Sequence, residues 1–139
     1  MQKYALILGV SSGIGAECAR ELSAKGLNII GLYMRKPKDQ IDSLINDIES
    51  NNVEANLIKM NACNYDAMNE LLSSEEFKNI KIKTFIHSLA FGAMKPFIAD
   101  QSSDQINKKH IDMTLDVMSN SLVYWTQSLS KNNLFIKGS

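Results

Sequence analysis

A short apolar run, a glycine-rich turn and an amphipathic stretch follow one another within the first 24 residues, and this succession constrains the chain more than any other feature. Tyr4-Ala5-Leu6-Ile7-Leu8 has no polar alternation, which predicts a strand buried on both faces. Gly9-Val10-Ser11-Ser12-Gly13-Ile14-Gly15 follows at once. Ile14, Cys18, Ala19 and Leu22 then fall at helical spacing, and Gly26 is suited to close that helix. A strand entering a helix through such a turn is one half of a βαβ unit.

The alternation continues. Leu27 to Tyr33 reads as a second strand, and Pro37 punctuates the loop after it. Ile41, Leu44, Ile45 and Ile48 stripe a second helix, and Val53 to Met60 reads as a third strand. Asp66 is a candidate cap for a third helix carrying Met68, Leu71 and Leu72. Ile82 to His87 is a fourth strand, and Leu89 to Gln101 bridges to a fourth helix. There Ile111, Leu115, Met118, Leu122, Trp125 and Leu129 form one stripe, expected to pack on the sheet. Leu134-Phe135-Ile136 looks like the start of a fifth strand. The order βαβαβαβα predicts a three-layer α/β domain over residues 1–139, with a doubly wound, Rossmann-like parallel sheet in strand order 3-2-1-4. Lacking further strands, that sheet is expected to be incomplete at its C-terminal side.

Composition narrows the partners. Fifteen basic and fifteen acidic residues cancel, which argues against nucleic acid or an anionic membrane as partner. No apolar run approaches the ~20 residues of a membrane span, and no secretory leader is visible before Tyr4. Cys18 and Cys63 lack metal-ligand spacing and read as reduced, small apolar residues of a cytoplasmic protein. No metal site is expected.

The turn carries chemistry. A pyrophosphate must approach backbone N–H groups at a helix N-terminus, and a Cβ in its way would block it. Gly9 is expected to make the turn, Gly13 to admit the phosphate, and Gly15 to let helix pack on strand. Ser11 and Ser12 can add hydroxyl hydrogen bonds, and Ile14 opens the helix. The residue closing the second strand bears on the ribose 2′ position, where an acid would repel a 2′-phosphate. Here Tyr33-Met34-Arg35-Lys36 stands instead, and Arg35 can fork onto a phosphate, so NADP(H) is favoured over NAD(H).

The G-x-x-x-G-x-G spacing and the element order resemble the short-chain dehydrogenase/reductase family, over nearly the whole chain. That resemblance implies a nicotinamide dinucleotide as cofactor. It implies that Asn61 meets the adenine edge, that Ala62 covers the ring, and that Ser88, Leu89 and Ala90 lie along the cofactor's ribose. Ile86-His87-Ser88-Leu89-Ala90-Phe91 is most similar to the enoyl-acyl-carrier-protein reductases, which imply an acyl-thioester substrate, a place in fatty-acid synthesis and a homo-oligomer in the complete enzyme. The loop from Phe91 to Gln101 would then cover the nicotinamide side. His87 itself reads as a structural residue. Met118 stands where most of the family carries an asparagine, a departure the enoyl reductases share. A ketone (3-oxoacyl) reductase of the same family and a non-catalytic nucleotide-binding module are the alternative readings.

No catalytic residue is assigned within the chain. The family's tyrosine–lysine pair is expected beyond Ser139, so the chain is expected to be an N-terminal portion that is inactive alone. Tyr124 and Lys131 match a Tyr-x6-Lys spacing but lie one helix too early. A reading frame continuing past Ser139 into such a pair would settle for an enzyme.

Overall fold

The computed structural model describes residues 2–11 and 13–139. Four strands, β1 (Tyr4–Leu8), β2 (Asn28–Tyr33), β3 (Ala55–Lys59) and β4 (Ile82–His87), alternate with helices α1 (Gly13–Ala24), α2 (Lys38–Glu49) and α3 (Tyr65–Ser73). After β4 come an irregular segment with one short 3-10 turn (Ser102–Asp104), then α4 (Lys108–Leu115) and α5 (Ser121–Lys131). The sheet is parallel in the order β3-β2-β1-β4, as the alternation predicts.

Both faces of the sheet are covered, and β1 shows how. Leu6 and Leu8 point into a cluster with Met68, Leu72, Phe77, Trp125 and Leu129 from the α3/α5 side. Ala5 and Ile7 point the other way, into Ala16, Ala19, Leu44 and Ile48 of α1 and α2. A period-two strand buried on both faces needs apolar residues at every position, which is why Tyr4–Leu8 carries no alternation.

Helix ends obey local chemistry. α1 closes at Gly26, whose φ of +80° places it in the left-handed region, and Leu27 N–H reaches back to Leu22 O at 3.1 Å. The cap of α3 differs from expectation. Asn64 Oδ1, not the Asp66 carboxylate, accepts from Ala67 N–H at 3.2 Å, and Asp66 falls in the first turn, where its charge still suits the helix dipole. Leu134 O accepts from Ile82 N–H at 2.8 Å, and Ile136 N–H donates to Ile82 O at 3.1 Å. Phe135 thus begins a parallel pairing on the outer edge of β4.

The expected fourth helix is corrected most. A π-turn, Asp116–Asn120, separates α4 from α5. One extra residue in a turn rotates the next helical segment about the axis, so a stripe of constant spacing cannot face the sheet on both sides of it. Ser121, Trp125, Ser128 and Leu129 are buried, whereas Ile111, Leu115, Met118 and Leu122 are exposed. Trp125 is buried with its polar edge satisfied, because Nε1–H donates to Ala62 O at 2.8 Å. That bond ties α5 to the turn after β3.

Candidate functional site

All four strands end at one cavity of about 690 Å³. Gly9, Tyr33 to Arg35, Met60 to Cys63, and Ser88 to Phe91 contribute from the ends of β1, β2, β3 and β4 in turn. Gly13 and Ile14 line it from the N-terminus of α1, and Met113, Asp116 and Val117 from α4 and the π-turn. The connection from β3 to β4 crosses over the sheet, so β1 and β4 flank the point where the winding reverses. Open α/β sheets bind ligands at that place.

Contacts a Cβ would make explain the turn. A Cβ on Gly9 would lie 2.3 Å from Ser88 O, because the ends of β1 and β4 close on each other there. A Cβ on Gly15 would lie 2.0 Å from Gly9 O, so α1 rests directly on the turn backbone. Gly13 differs: its φ is +55° and no atom stands within 4 Å of its Cβ position. It borders open cavity, leaving a cradle that an anion of pyrophosphate size can enter at a helix N-terminus. These residues fit a dinucleotide phosphate.

The structure brings together Gly9, Ser11, Gly13, Ile14, Arg35, Asn61, Ala62, Ser88, Leu89 and Ala90 at the cavity. Gly15 is not in its lining; it supports the turn from behind. Ser12 lies outside the described residues. Lys36 faces a smaller recess that shares Ser11 and Gly13 with the cavity. In that recess Arg20 is engaged by Glu17 and by Asp47, the latter at 2.9 Å.

Behind the cavity stands a polar cluster. Tyr65 Oη–H donates to Asp116 Oδ1 at 3.0 Å, and burial, then this carboxylate, raise the Tyr65 pKa. Burial likewise raises the Cys63 thiol. His87 Nε2 lies 2.7 Å from Ser121 Oγ, which itself donates to Val117 O at 2.8 Å. The hydroxyl has one proton, so His87 must donate, which fixes the Nε2–H tautomer. Burial lowers the His87 pKa, in keeping with its structural reading. Cys63, Met113, Asp116 and Val117 were not among the expected site residues. The last two lie at the start of the π-turn, for which composition offers no signal.

Tyr124 and Lys131 do not line the cavity. They share a shallow recess with Tyr65 and Asn69, and the Tyr124 ring meets Tyr65 edge-on at 5.0 Å. Among the described residues no cluster of metal-ligating side chains occurs, and no helix is long and apolar enough to cross a membrane.

The sequence profile of the short chain dehydrogenases matches residues 3–138. The chain belongs to the short-chain dehydrogenase family. A curated relative, the 3-oxoacyl-acyl-carrier-protein reductase FabG of Staphylococcus epidermidis, is 32% identical over 72 residues, 52% of this chain and 29% of that protein. Among solved structures, a short-chain dehydrogenase/reductase from Serratia marcescens superposes with a TM-score of 0.73 at 16% identity, over 94% of this chain and 50% of that one. The NADH-dependent reductase A1-R′, responsible for alginate metabolism, gives 0.76 at 20% identity, over 94% of this chain and 51% of that one. L-sorbose reductase from Gluconobacter frateurii, solved with NADPH and L-sorbose, gives 0.75 at 16% identity, over 94% and 47%. The chain therefore spans about half the length of these family structures and less than a third of the curated relative. The likeness in fold extends to one neighbour named for NADH and one solved with NADPH, so it does not choose between the two cofactors.

Proposed function

We propose that this chain is the nicotinamide-dinucleotide-binding unit of a short-chain reductase acting on acyl thioesters. The observation that carries the reading is the convergence of all four strand ends on one cavity, with Gly13 open to it and the α1 N-terminus aimed into it. A reduced nicotinamide supplies hydride chemistry when bound. The chain's own part is positional. Gly9, Ser11 and Gly13 hold the pyrophosphate, Arg35 meets a ribose 2′-phosphate, Asn61 and Ala62 seat the base, and Ser88 to Ala90 run along a ribose. Lys36, in the adjoining recess, adds a second positive charge near the 2′-phosphate, which supports NADPH over NADH.

Two substrate readings have distinct supports. Reduction of an enoyl thioester is favoured by His87-Ser88-Leu89-Ala90 after β4 and by Met118 at the π-turn. Reduction of a 3-oxoacyl thioester is favoured by the name of the Staphylococcus epidermidis relative. The substrate, the oligomeric state and the cytoplasmic location belong to this proposal. NADPH oxidation by a protein that continues past Ser139 into the tyrosine–lysine pair, followed with crotonyl and with acetoacetyl thioesters, separates the two: the enoyl reading expects turnover with the first alone, and the reverse pattern selects the ketone reading. A dinucleotide titration without saturable binding would sink both.

A further inference from the structure

Two residues that do not line the cavity join two of the segments that do. His87 ends β4, and Ser88 to Phe91, which follow it, line the cavity. Ser121 opens α5 and is fully buried, and Asp116 and Val117 of the π-turn before it line the cavity with Met113 of α4. His87 Nε2–H donates to Ser121 Oγ at 2.7 Å, and Ser121 Oγ–H donates to Val117 O at 2.8 Å. The strand end and the α4 wall are thus tied through one hydroxyl.

The tie falls at the π-turn for a reason. In an α-helix Val117 O would accept from Ser121 N–H, four residues on. Here that N–H reaches Asp116 O instead, and the Ser121 hydroxyl takes its place on Val117 O. The turn is held at both ends, because Tyr65 Oη–H grips Asp116 at 3.0 Å and His87 grips Ser121. Closing the turn into an α-helix would rotate α4 against α5 by about 100°, the angle of one residue. Trp125 and Leu129 fix α5 in the core, so α4 would be the helix to move. Met113, Asp116 and Val117 would then leave the places they hold at the cavity.

We infer that His87 and Ser121 are positioning residues for the dinucleotide, which hold the α4 wall in register with the end of β4. This rests on the dinucleotide reading above. It goes beyond a structural part for His87, because the bond then acts on ligand affinity as well as on stability. Groups that line a site keep their geometry when hydrogen bonds behind them fix the backbone that carries them.

The test measures NADPH affinity by calorimetry for the chain and three variants, each shown to be folded by circular dichroism at the titration temperature. Ser121→Ala removes both bonds. His87→Gln keeps a donor amide at the reach of Nε2. Ile48→Val loosens the opposite layer, away from the cavity. The expected result is NADPH binding about tenfold weaker in Ser121→Ala, with His87→Gln and Ile48→Val within about twofold of the original chain. Should Ser121→Ala not fold, His87→Leu takes its place with the same expected loss. Unchanged affinity in the variant that cuts the tie would overturn the inference. So would an equal loss in Ile48→Val, which would make the weakening a general effect of a looser fold, or an equal loss in His87→Gln, where the donor is kept. Each of these results leaves the cofactor reading intact. No NADPH binding by the original chain would overturn the cofactor reading and the inference with it.

Discussion

Replacing Gly15 with alanine tests whether α1 rests on the turn as described. The new Cβ would lie 2.0 Å from Gly9 O, 2.9 Å from Gly9 C and 3.2 Å from Val10 Cα, against an ordinary contact distance of 3.4 Å or more. All three atoms are backbone, so no side-chain rotation relieves the overlap. The helix must retreat from the turn by an ångström or so, and overpacking of this kind costs about 1–3 kcal/mol. Alanine's better helix propensity returns up to about 1 kcal/mol. The net loss therefore lies between about 0 and 3 kcal/mol with its centre at ~1.5 kcal/mol, which for a chain of this length lowers the melting temperature by roughly 4–8 °C. Differential scanning calorimetry measures it. Gly13→Ala is the control: nothing stands near its Cβ, but φ is +55°, so it incurs left-handed strain of about 1–2 kcal/mol and puts a methyl group at the phosphate cradle. Gly13→Ala should thus cost more NADPH affinity per unit of lost stability than Gly15→Ala. An unchanged melting temperature for Gly15→Ala would refute the packing argument.

Arg35→Ala should weaken NADPH binding about tenfold and leave NADH nearly unchanged, as read by parallel titrations; equal losses would remove Arg35 from the 2′-phosphate role. Ser121→Ala leaves His87 Nε2–H and Val117 O without their shared partner, and should lower the unfolding free energy in denaturant titrations by about 1–3 kcal/mol. His87 should be neutral and protonated on Nε2 at pH 7, which nitrogen-15 NMR of the ring reports directly. Because its folded pKa lies below the usual 6.5, its contribution to stability is full above pH 6.5 and is lost as pH falls toward the folded value; melting curves at descending pH should show that slope, reduced in His87→Gln. Tyr124 stands against Tyr65 and outside the cavity, so Tyr124→Phe should leave any thioester-dependent NADPH oxidation unaltered; turnover abolished by this change would make Tyr124 and Lys131 a true catalytic pair.

Strand order and layering were legible because burial on both faces leaves an unmistakable apolar run, as in Tyr4–Leu8, and because parallel strands need helical crossovers. β4 falls at Ile82–His87 as expected although Lys83 and Thr84 interrupt its apolar residues and only Ile82 is fully buried, whereas β3 is shorter than the expected Val53–Met60 and ends at Lys59. The turn residues were readable one by one, since each glycine answers a separate steric demand. Two things were not. Asn64 and Asp66 are both good cap residues, and only the turn formed by Asn61 decides that Asn64 takes Ala67 N–H. The π-turn is the other. Even spacing from Ile111 to Leu129 reads as one straight helix, but Trp125 reaching Ala62 O and Ser121 meeting His87 orient α5 independently of α4. Tertiary hydrogen bonds, not periodicity, therefore choose which face is buried and bring Asp116 and Val117 to the cavity.

The central claim, that the cavity at the strand ends holds a nicotinamide dinucleotide, is tested most directly by titrating the chain with NADPH while following backbone amides by NMR. The account predicts saturable shifts at Gly9, Gly13, Ala62 and Ala90, with Gly26 and Gly138 unmoved. No saturable binding, or shifts confined to the recess of Tyr124 and Lys131, would contradict it.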